Sequence, residues 1–540
     1  MITRSTLFAA LLLAGASSAT MAQTQDWTAE TLLTRMYDAH GGGAVDGIHS
    51  LEFETVGYFH GRFQSRHTEP PWDLIPIRQY TAIDFENPRA ARDVLSAWPG
   101  GLTMGYRSII DGDTDWHLNT IARIYESGTF HGYNSTMGSV RVRFPVYFVQ
   151  SLLEDTSRVS SIGSETRSGM DYLTLVYDEG STMYINPETF LIDSVEYSAA
   201  NHMVGREVDY RRVYDNYTDV GGIMVPQRYL MWVEGLPYYD LSLPTIRFNT
   251  DIGRHMEIPD NFVEVANTDA YSGQMEIGVR EVADGVYAAG NGETQILYVE
   301  FDDYFVAMET GGFPSYAENT HAAMQPYMNG KPLRYIIPTH YHDDHLIAVH
   351  YYARIGATIL TTRDKEAYIR ELLNRTWGAH GPVTDATFEY IDGPVRTFTD
   401  ETNRFDVHVY ADAPHTENML VGYVAGSGIL FSGDTVIGWI QPEPGIVRQG
   451  APYAALHLDQ WVRDRQAAGE MGAVNEYVNV HGVPYSLAEW RQMLATERTF
   501  TTLPDNEAMP VLTWFERYGL NDNTTSDPDL EIRHGARTTN

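Results

Sequence analysis

The spacing of hydrophobic residues changes near residue 270 and divides the chain into two parts. In the first part, the apolar residues between Leu32 and Tyr37 recur at helical spacing, which predicts one amphipathic helix. Alternating and β-branched runs follow, such as Leu51 to Tyr58, and Met183 to Val233 is typical of consecutive antiparallel strands. We therefore expect residues 23–270 to form a β-rich domain.

In the second part, short apolar runs alternate with amphipathic segments. "RYIIPTH" predicts a buried strand, and "DHLIAVHYYARIG" predicts the helix that follows it. The same alternation continues through "ILFSGD" and a helix from about Ala454 to Ala468. This order predicts an α/β domain over residues 271–500, followed by a polar tail at 501–540.

A dense group of ligand-type residues follows the strand "RYIIPTH", in the order His340-Tyr341-His342-Asp343-Asp344-His345. Histidines two positions apart in an extended chain project to the same side, so His340 and His342 can share one metal ion. Asp344 and His345 come at the start of the next helix and can reach a second ion. This HxHxDH spacing rarely arises by chance.

The segment "THYHDDH" resembles the signature of the metallo-β-lactamase superfamily, and three later motifs follow in the order of that family. "PHTENMLVGYV" is similar to its third-histidine motif, "GILFSGDT" to its bridging-acid motif and "VNVHG" to its final histidine motif. The resemblance implies that His415, Asp434 and His481 are further ligands. It also implies a C-terminal αββα sandwich, so the expected fold combines that sandwich with a preceding β-rich domain.

The seven side chains are expected to divide between two metal ions: His340, His342 and His415 at the first, Asp344, His345 and His481 at the second, and Asp434 between them. Imidazole and carboxylate ligands suit zinc, although iron and manganese also accept them. Two ions about 3.5–4 Å apart activate water as a metal-bound hydroxide and polarise a substrate oxygen. Asp344 is in addition the candidate catalytic residue, because its carboxylate can orient that water.

Three stretches of the first part have a different resemblance. "MYINPETFLIDSVEYSA", "DYRRVYDNYTDVGGIMVPQRYLMWVEG" and "IPDNFVEV" resemble the periplasmic lipoprotein-carrier family in their rhythm of strands and turns. That family has a half-open β-barrel with a helix across its mouth, which implies a concave apolar surface for a lipid or acyl ligand. The alternative is a structural or dimerising β-domain that binds nothing.

The first 22 residues have the pattern of a secretory signal peptide. Arg4 precedes an apolar run from Leu7 to Ala16, and Thr20-Met21-Ala22 fits the small-residue rule for cleavage. The run is too short to cross a bilayer, and no later run is longer. We expect an exported protein, periplasmic or secreted, with no membrane span. The chain has no cysteine, which excludes disulfide bonds and thiolate ligands.

The chain is strongly acidic, with 72 acidic against 37 basic residues and a formal net charge of −35. Such a surface repels phosphate backbones, so we expect a small-molecule substrate and no nucleic-acid partner. High charge also keeps a protein soluble, which is a sufficient explanation by itself.

These features favour a dinuclear hydrolase that acts on an acyl bond: an ester, thioester, lactone or amide. Many β-lactamases of the superfamily have cysteine or serine where Asp434 stands and a lysine soon after it, whereas this chain continues with Thr435-Val436-Ile437. Hydrolysis of β-lactams remains an alternative. The others are a periplasmic lipid- or peptide-binding protein whose metal domain is vestigial, and a one-iron enzyme of sulfur oxidation.

Overall fold

The computed structural model describes residues 27–498, except for 121–122, 129–131, 179, 202–205, 265–276, 292–293, 378–379, 439–452 and 483. The predicted signal peptide and the predicted tail at 501–540 lie outside the described residues. Within them, no helix is both long enough and apolar enough to cross a bilayer.

The first part of the chain contains four helices and fourteen strands among its described residues. The helices are α1 Ala29–Ala39, α2 Gly42–Val45, α3 Gly132–Arg143 and α4 Pro145–Glu154. The strands are β1 Ser50–His60, β2 Leu74–Asp84, β3 Arg89–Trp98, β4 Leu102–Asp111, β5 Thr114–Asn119, β6 Ile124–Gly128, β7 Val159–Arg167, β8 Met170–Tyr177, β9 Ser181–Ile185, β10 Ile192–Asn201, β11 Arg206–Val220, β12 Ile223–Val233, β13 Leu236–Phe248 and β14 Val263–Glu264.

These described strands form one sheet in the order β14-β6-β5-β4-β3-β2-β1-β13-β12-β11-β10-β9-β8-β7. The antiparallel run that the sequence predicts between Met183 and Val233 is confirmed, because β9 to β12 pair in succession. The predicted first helix is α1, whose Thr28 side chain accepts from the Thr31 N–H and so caps the helix. Leu32, Leu33 and Met36 are buried against the sheet.

Helices α3 and α4 were not anticipated from the sequence. The segment from Pro145 to Leu153 is aromatic and β-branched, which favours a strand, yet proline at the first helical position suits a helix start. Phe144 and Val146 pack with Phe53 and Leu243 of the sheet. Burial against the sheet therefore outweighs local strand propensity.

The second part contains six helices and thirteen strands among its described residues. The helices are α5 Pro314–Met328, α6 Asp343–Leu346, α7 Val349–Arg354, α8 Glu366–Leu373, α9 Tyr453–Ala467 and α10 Leu487–Arg498. The strands are β15 Gly278–Ala283, β16 Val286–Gly290, β17 Gln295–Glu300, β18 Phe305–Met308, β19 Leu333–Ile337, β20 Thr358–Thr361, β21 Phe388–Tyr390, β22 Val395–Thr399, β23 Arg404–Tyr410, β24 Met419–Val424, β25 Ile429–Gly438, β26 Glu476–Gly482 and β27 Tyr485–Ser486.

The strands of this part form two sheets in the described residues, one from β15 to β21 and one from β22 to β27, each in chain order. Residues from both sheets share one hydrophobic core, for example Leu297 and Phe431. A second core contains residues of the first sheet and of α5, α7 and α8. A third contains residues of the other sheet and of α9 and α10, including Leu458 and Trp490.

The single helix predicted from "DHLIAVHYYARIG" is wrong, because the structure divides it into α6 and α7 at Ile347 and Ala348. The Ala348 N–H donates to the Gly311 carbonyl at 3.1 Å rather than back along the helix. A Cβ atom on Gly312 would lie 3.1 Å from the Asp344 Cα, so this glycine allows the loop after β18 to pack closely against α6. The break separates the ligand-bearing turn from the rest of the helix.

Candidate metal centre

The seven candidate ligands lie at the ends of strands in the two C-terminal sheets. His340 and His342 follow β19, and Asp344 and His345 lie in the short helix α6. The remaining three come from the second sheet: His415 between β23 and β24, Asp434 in β25 and His481 in β26. The structure therefore brings together residues that are up to 141 positions apart, from His340 to His481.

The first group consists of His340, His342, His415 and Asp434, which are all buried. One ligand atom of each lies within 4.8 Å of the others. His342 Nδ1 faces His415 Nε2 at 3.0 Å. The Nε2 atom of His340 is buried and has no hydrogen-bond partner. The lone pairs of His340 Nε2, His342 Nδ1 and His415 Nε2 are therefore candidates for binding one cation.

The second group consists of Asp344, His345, His481 and Asp434, within the same 4.8 Å limit. His345 Nε2 lies 3.3 Å from Asp344 Oδ2, and His481 Nε2 lies 3.4 Å from that oxygen. The two imidazole nitrogens are themselves 3.3 Å apart. The Asp344 side chain is 43% exposed, whereas His345 is fully buried, so Asp344 is the carboxylate of this group that solvent reaches.

Asp434 is shared between the two groups. Its Oδ1 lies 3.0 Å from His345 Nε2 and 3.4 Å from His481 Nε2, while its Oδ2 lies 3.6 Å from His415 Nε2. One oxygen therefore faces each group. A carboxylate placed in this way can join two cation sites.

The pKa values of the histidines differ between the groups because their neighbours differ. Burial, with the neighbouring imidazoles, holds the pKa of His340 well below its ordinary value and lowers that of His342 to about 3. In the second group, burial opposes charge, but the carboxylates of Asp344 and Asp434 raise the pKa of His345 and bring that of His481 to about 9. Burial therefore dominates the surroundings of the first group, and the negative charge of the carboxylates dominates those of the second.

Glu309 fixes the orientation of His345 from within the same domain. It is fully buried, and its Oε2 accepts from His345 Nδ1 at 3.0 Å and from Thr339 Oγ1 at 2.7 Å. Its Oε1 accepts from the N–H groups of Thr310 and Gly311. The Nδ1 proton is held there, so Nε2 faces the second group.

Three contacts to the candidate ligands come from the N-terminal sheet and were not anticipated from the sequence. His342 Nε2 donates to the Ser65 carbonyl at 2.8 Å, and His415 Nδ1 donates to the Pro99 carbonyl at 3.0 Å. Gln64 Nε2 donates to Asp344 Oδ1 at 2.9 Å. No sequence signal marks them, since every residue has a carbonyl group and the partners are hundreds of positions apart.

The donor set fits divalent metal ions. Buried imidazole nitrogens and carboxylate oxygens face one another at 3.0–3.6 Å, and the His340 Nε2 atom is left without a partner. Buried polar atoms are normally satisfied, so the arrangement is explained most simply by cations that accept these lone pairs. Zinc accepts nitrogen and oxygen ligands of this kind, and so do iron and manganese. The other described histidines, including His350 and His408, belong to neither group.

The sequence of residues 294–480 matches the family model described as the metallo-beta-lactamase superfamily. The match covers about a third of the chain and contains every candidate ligand except His481, which is the next residue. This part of the chain therefore has the metallo-β-lactamase fold, and the residues before it form a large β-rich region. Members of the superfamily are mostly hydrolases, although some are oxidoreductases.

Solved structures resemble the chain only in part. A metallo-beta-lactamase from Pontibacter korlensis is 18% identical, with 41% of this chain and 99% of that one covered and a TM-score of 0.30. The sec-alkylsulfatase Pisa1 from Pseudomonas sp. is 15% identical, with 44% and 43% covered and a TM-score of 0.31. Rubredoxin oxygen:oxidoreductase from Desulfovibrio gigas is 14% identical, with 40% and 59% covered and a TM-score of 0.33.

No curated protein matches the chain in sequence. At such low identities and TM-scores, the solved structures do not indicate what this chain acts on.

Proposed function

We propose that the protein is an exported dinuclear metal-dependent hydrolase that cleaves an acyl bond in an ester, thioester, lactone or amide. The observation that carries the proposal is Asp434, whose two carboxylate oxygens face two separate groups of ligand atoms. A single-ion centre would have no use for a second complete group. Two zinc ions are the proposed cofactors.

The ligands have distinct roles in this proposal. Two bound cations would supply a nucleophile by lowering the pKa of water, and would polarise the substrate carbonyl. The imidazoles of His340, His342 and His415 would hold the first ion, and Asp434 would contribute a ligand oxygen to each site. Hydrolysis adds a water oxygen to the carbonyl carbon, and the alcohol, thiol or amine leaves with a proton. Asp344, the exposed carboxylate, orients the water and moves that proton.

A cavity of about 330 Å³ beside the first group is the proposed site for the acyl part of the substrate. It is lined by Leu74, Ile75 and Trp98 of the N-terminal sheet and by Pro414, the residue before His415. Arg66 also lines the cavity, but its charge is matched by Asp73 at 2.6 Å. The wall combines polar and apolar surface, and Arg66, its cation among the described residues, is already paired, which favours an uncharged acyl group.

Elemental analysis of the purified protein is the first test of the proposal. We expect about two zinc ions per chain, whereas a vestigial domain would hold none and an enzyme of sulfur oxidation would hold one iron. The reaction class is then tested with p-nitrophenyl esters, acyl thioesters, lactones, nitrocefin, bis-p-nitrophenyl phosphate and single-stranded RNA, each with wild type and His340→Ala. Activity confined to the phosphodiester or RNA, and lost in the variant, would contradict acyl hydrolysis. Nitrocefin as the best substrate would favour the β-lactam alternative.

Two features of the architecture belong to the same proposal. The three hydrophobic cores of the C-terminal part are consistent with helices, sheet, sheet and helices in the αββα order. The N-terminal sheet with helices α1, α3 and α4 against it is consistent with a carrier-like domain that holds a lipid or acyl group. A fluorescent fatty acid that fails to bind would remove the ligand from this proposal and leave a purely structural domain.

Export is proposed from the N-terminal sequence pattern alone. The mature protein should begin near Gln23, so its intact mass should lack residues 1–22 within a few residues. Full-length protein in the cytoplasm would contradict this.

A further inference from the structure

We propose that the N-terminal sheet completes the metal centre by positioning its ligands, through the loop 61–73 and the turn Pro99–Gly101. We call these two segments the docking loop and the docking turn. The docking loop joins β1 to β2, and the docking turn joins β3 to β4, so both lie at the same end of the sheet. The inference rests on the metal binding proposed above, and it adds Gln64 as a positioning residue.

The docking loop sets which nitrogen of His342 faces the first group. The Ser65 carbonyl can only accept, so the Nε2 atom at 2.8 Å must hold the imidazole proton. Nδ1 is then the unprotonated atom, and it is the one that faces His415 Nε2. The same carbonyl accepts from the Tyr341 hydroxyl, so it ties the loop to two consecutive residues, Tyr341 and His342.

The docking turn does the same for His415. Its Nδ1 donates to the Pro99 carbonyl at 3.0 Å, which leaves Nε2 free for a metal ion. Gly100 has a φ of +82° and packs directly on this histidine. A Cβ atom on Gly100 would lie 3.1 Å from the Ala454 Cβ and 3.2 Å from both Cα and Cβ of His415, closer than ordinary van der Waals contact. The turn therefore controls the position as well as the tautomer of His415.

Gln64 bridges the two carboxylates of α6. Its Nε2 lies 2.5 Å from Asp343 Oδ1 and 2.9 Å from Asp344 Oδ1, so one amide group donates to both. Asp344 Oδ2 is thereby left to face His345 and His481. Without this donor, the Asp344 carboxylate would lose the contact that orients it towards the second group.

The docking loop is anchored independently of the metal ligands. Asp73 accepts from the Ser65 hydroxyl at 2.9 Å and from Arg66 Nη2 at 2.6 Å. Phe63 is 2% exposed and packs with Val208 and Val233 of the sheet. A loop that is held at its own base can impose a geometry on what it touches.

Matched glycine variants test the docking turn. Gly100→Ala and Gly112→Ala introduce the same side chain at positive φ, but nothing lies within 4 Å of a Cβ atom on Gly112. The backbone strain is therefore shared, and of the two variants only Gly100→Ala presses on His415, with Ala454 of α9 as the other neighbour. We expect Gly100→Ala to raise one of the two stepwise zinc dissociation constants about 10-fold or more, and Gly112→Ala to leave both unchanged. Competition with a chromophoric chelator measures both constants.

Matched glutamine variants test the docking loop. We expect Gln64→Ala to raise about 10-fold the other stepwise zinc dissociation constant, the one that Gly100→Ala leaves unchanged. Its control is Gln227→Ala, since the Gln227 side chain donates to the Val225 carbonyl two positions away and, among the described residues, belongs to neither ligand group. The melting temperature of the metal-free protein is recorded for all four variants, because a merely structural role would lower it and would affect both zinc constants together.

The outcomes separate this inference from the proposed function. Wild-type protein that binds no zinc would overturn the metal centre and, with it, the inference. Wild-type protein with two zinc ions, and variants that bind both as tightly, would overturn the inference alone. Equal loss of both ions in Gly100→Ala and Gly112→Ala would also overturn it, because backbone strain would then be the cause.

Discussion

The two ligand groups differ in what holds their histidines. In the first group, His342 and His415 donate to carbonyl oxygens of Ser65 and Pro99, which belong to the N-terminal sheet. In the second group, His345 donates to Glu309 of its own domain. One group therefore depends on contacts across the two parts of the chain, and the other is supported mainly from within the C-terminal part, with Gln64 as the exception.

This difference shows that the N-terminal part of the chain contacts the candidate ligands directly. A neutral carbonyl orients an imidazole without adding charge, whereas Glu309 also adds a negative charge beside His345. The carboxylates of Asp344 and Asp434 raise the histidine pKa values of the second group, with Glu309 adding to the effect on His345, whereas burial lowers those of the first. Variants can test whether the two groups are as independent as these contacts suggest.

The largest effect is expected where the two groups meet. Asp434→Ala removes both carboxylate oxygens, one of which faces each group, so both proposed metal sites lose a ligand. We expect less than one zinc ion per chain by elemental analysis and a loss of activity of at least about 1,000-fold. The control is Asp412→Ala, because Asp412 is exposed and lies outside both groups. Normal zinc content in Asp434→Ala would mean that the groups do not share this carboxylate.

The next effect concerns the packing that fixes the docking loop. Phe63 is 2% exposed, and the partly buried Tyr368 of α8 packs against the cluster that contains it, so this cluster joins the two parts of the chain. Phe63→Ala should lower the free energy of unfolding by about 3–5 kcal/mol, as buried phenylalanine deletions do. Chemical denaturation measures this, with Phe313→Ala as the control because Phe313 is 50% exposed. Equal small losses in both variants would show that the loop is not anchored by Phe63.

Glu309→Gln tests the group that is supported from within. The variant keeps an oxygen near His345 but removes the charge, and we expect the dissociation constant of one zinc ion to rise about 10- to 100-fold. The other constant should stay within about twofold if the groups are independent. Glu300→Gln is the control, since Glu300 pairs with Lys331 away from the site. A rise in both constants would show that Glu309 supports the whole centre.

Side-chain chemistry explains why the two candidate ligand groups could be predicted. Histidine and aspartate at the spacing of 340–345 leave few alternatives, and all seven predicted residues lie in the two groups. The alternation of strands and helices after residue 270 also predicted the elements of the C-terminal part. The break at Ala348 could not be predicted, because it depends on a hydrogen bond to Gly311 from a distant loop. The Ser65 and Pro99 contacts are backbone features, which leave no trace in residue type.

The smallest effect that we predict concerns a histidine of the N-terminal part, and it contrasts with those of the second group. His40 is fully buried, its Nδ1 donates to the Met36 carbonyl at 2.8 Å, and its Nε2 accepts from the Ile192 N–H. No carboxylate offsets the burial, which lowers the pKa of His40 to about 4.

As pH falls below about 6.5, the unfolded chain takes up a proton at His40 that the folded protein does not, so the free energy of unfolding decreases until the folded pKa is reached. Between pH 7.5 and 5.5 the free energy of unfolding of wild type should fall by about 1 kcal/mol more than that of His40→Asn, measured by urea denaturation at each pH. Parallel curves for the two proteins would mean that His40 is not held neutral in the folded state.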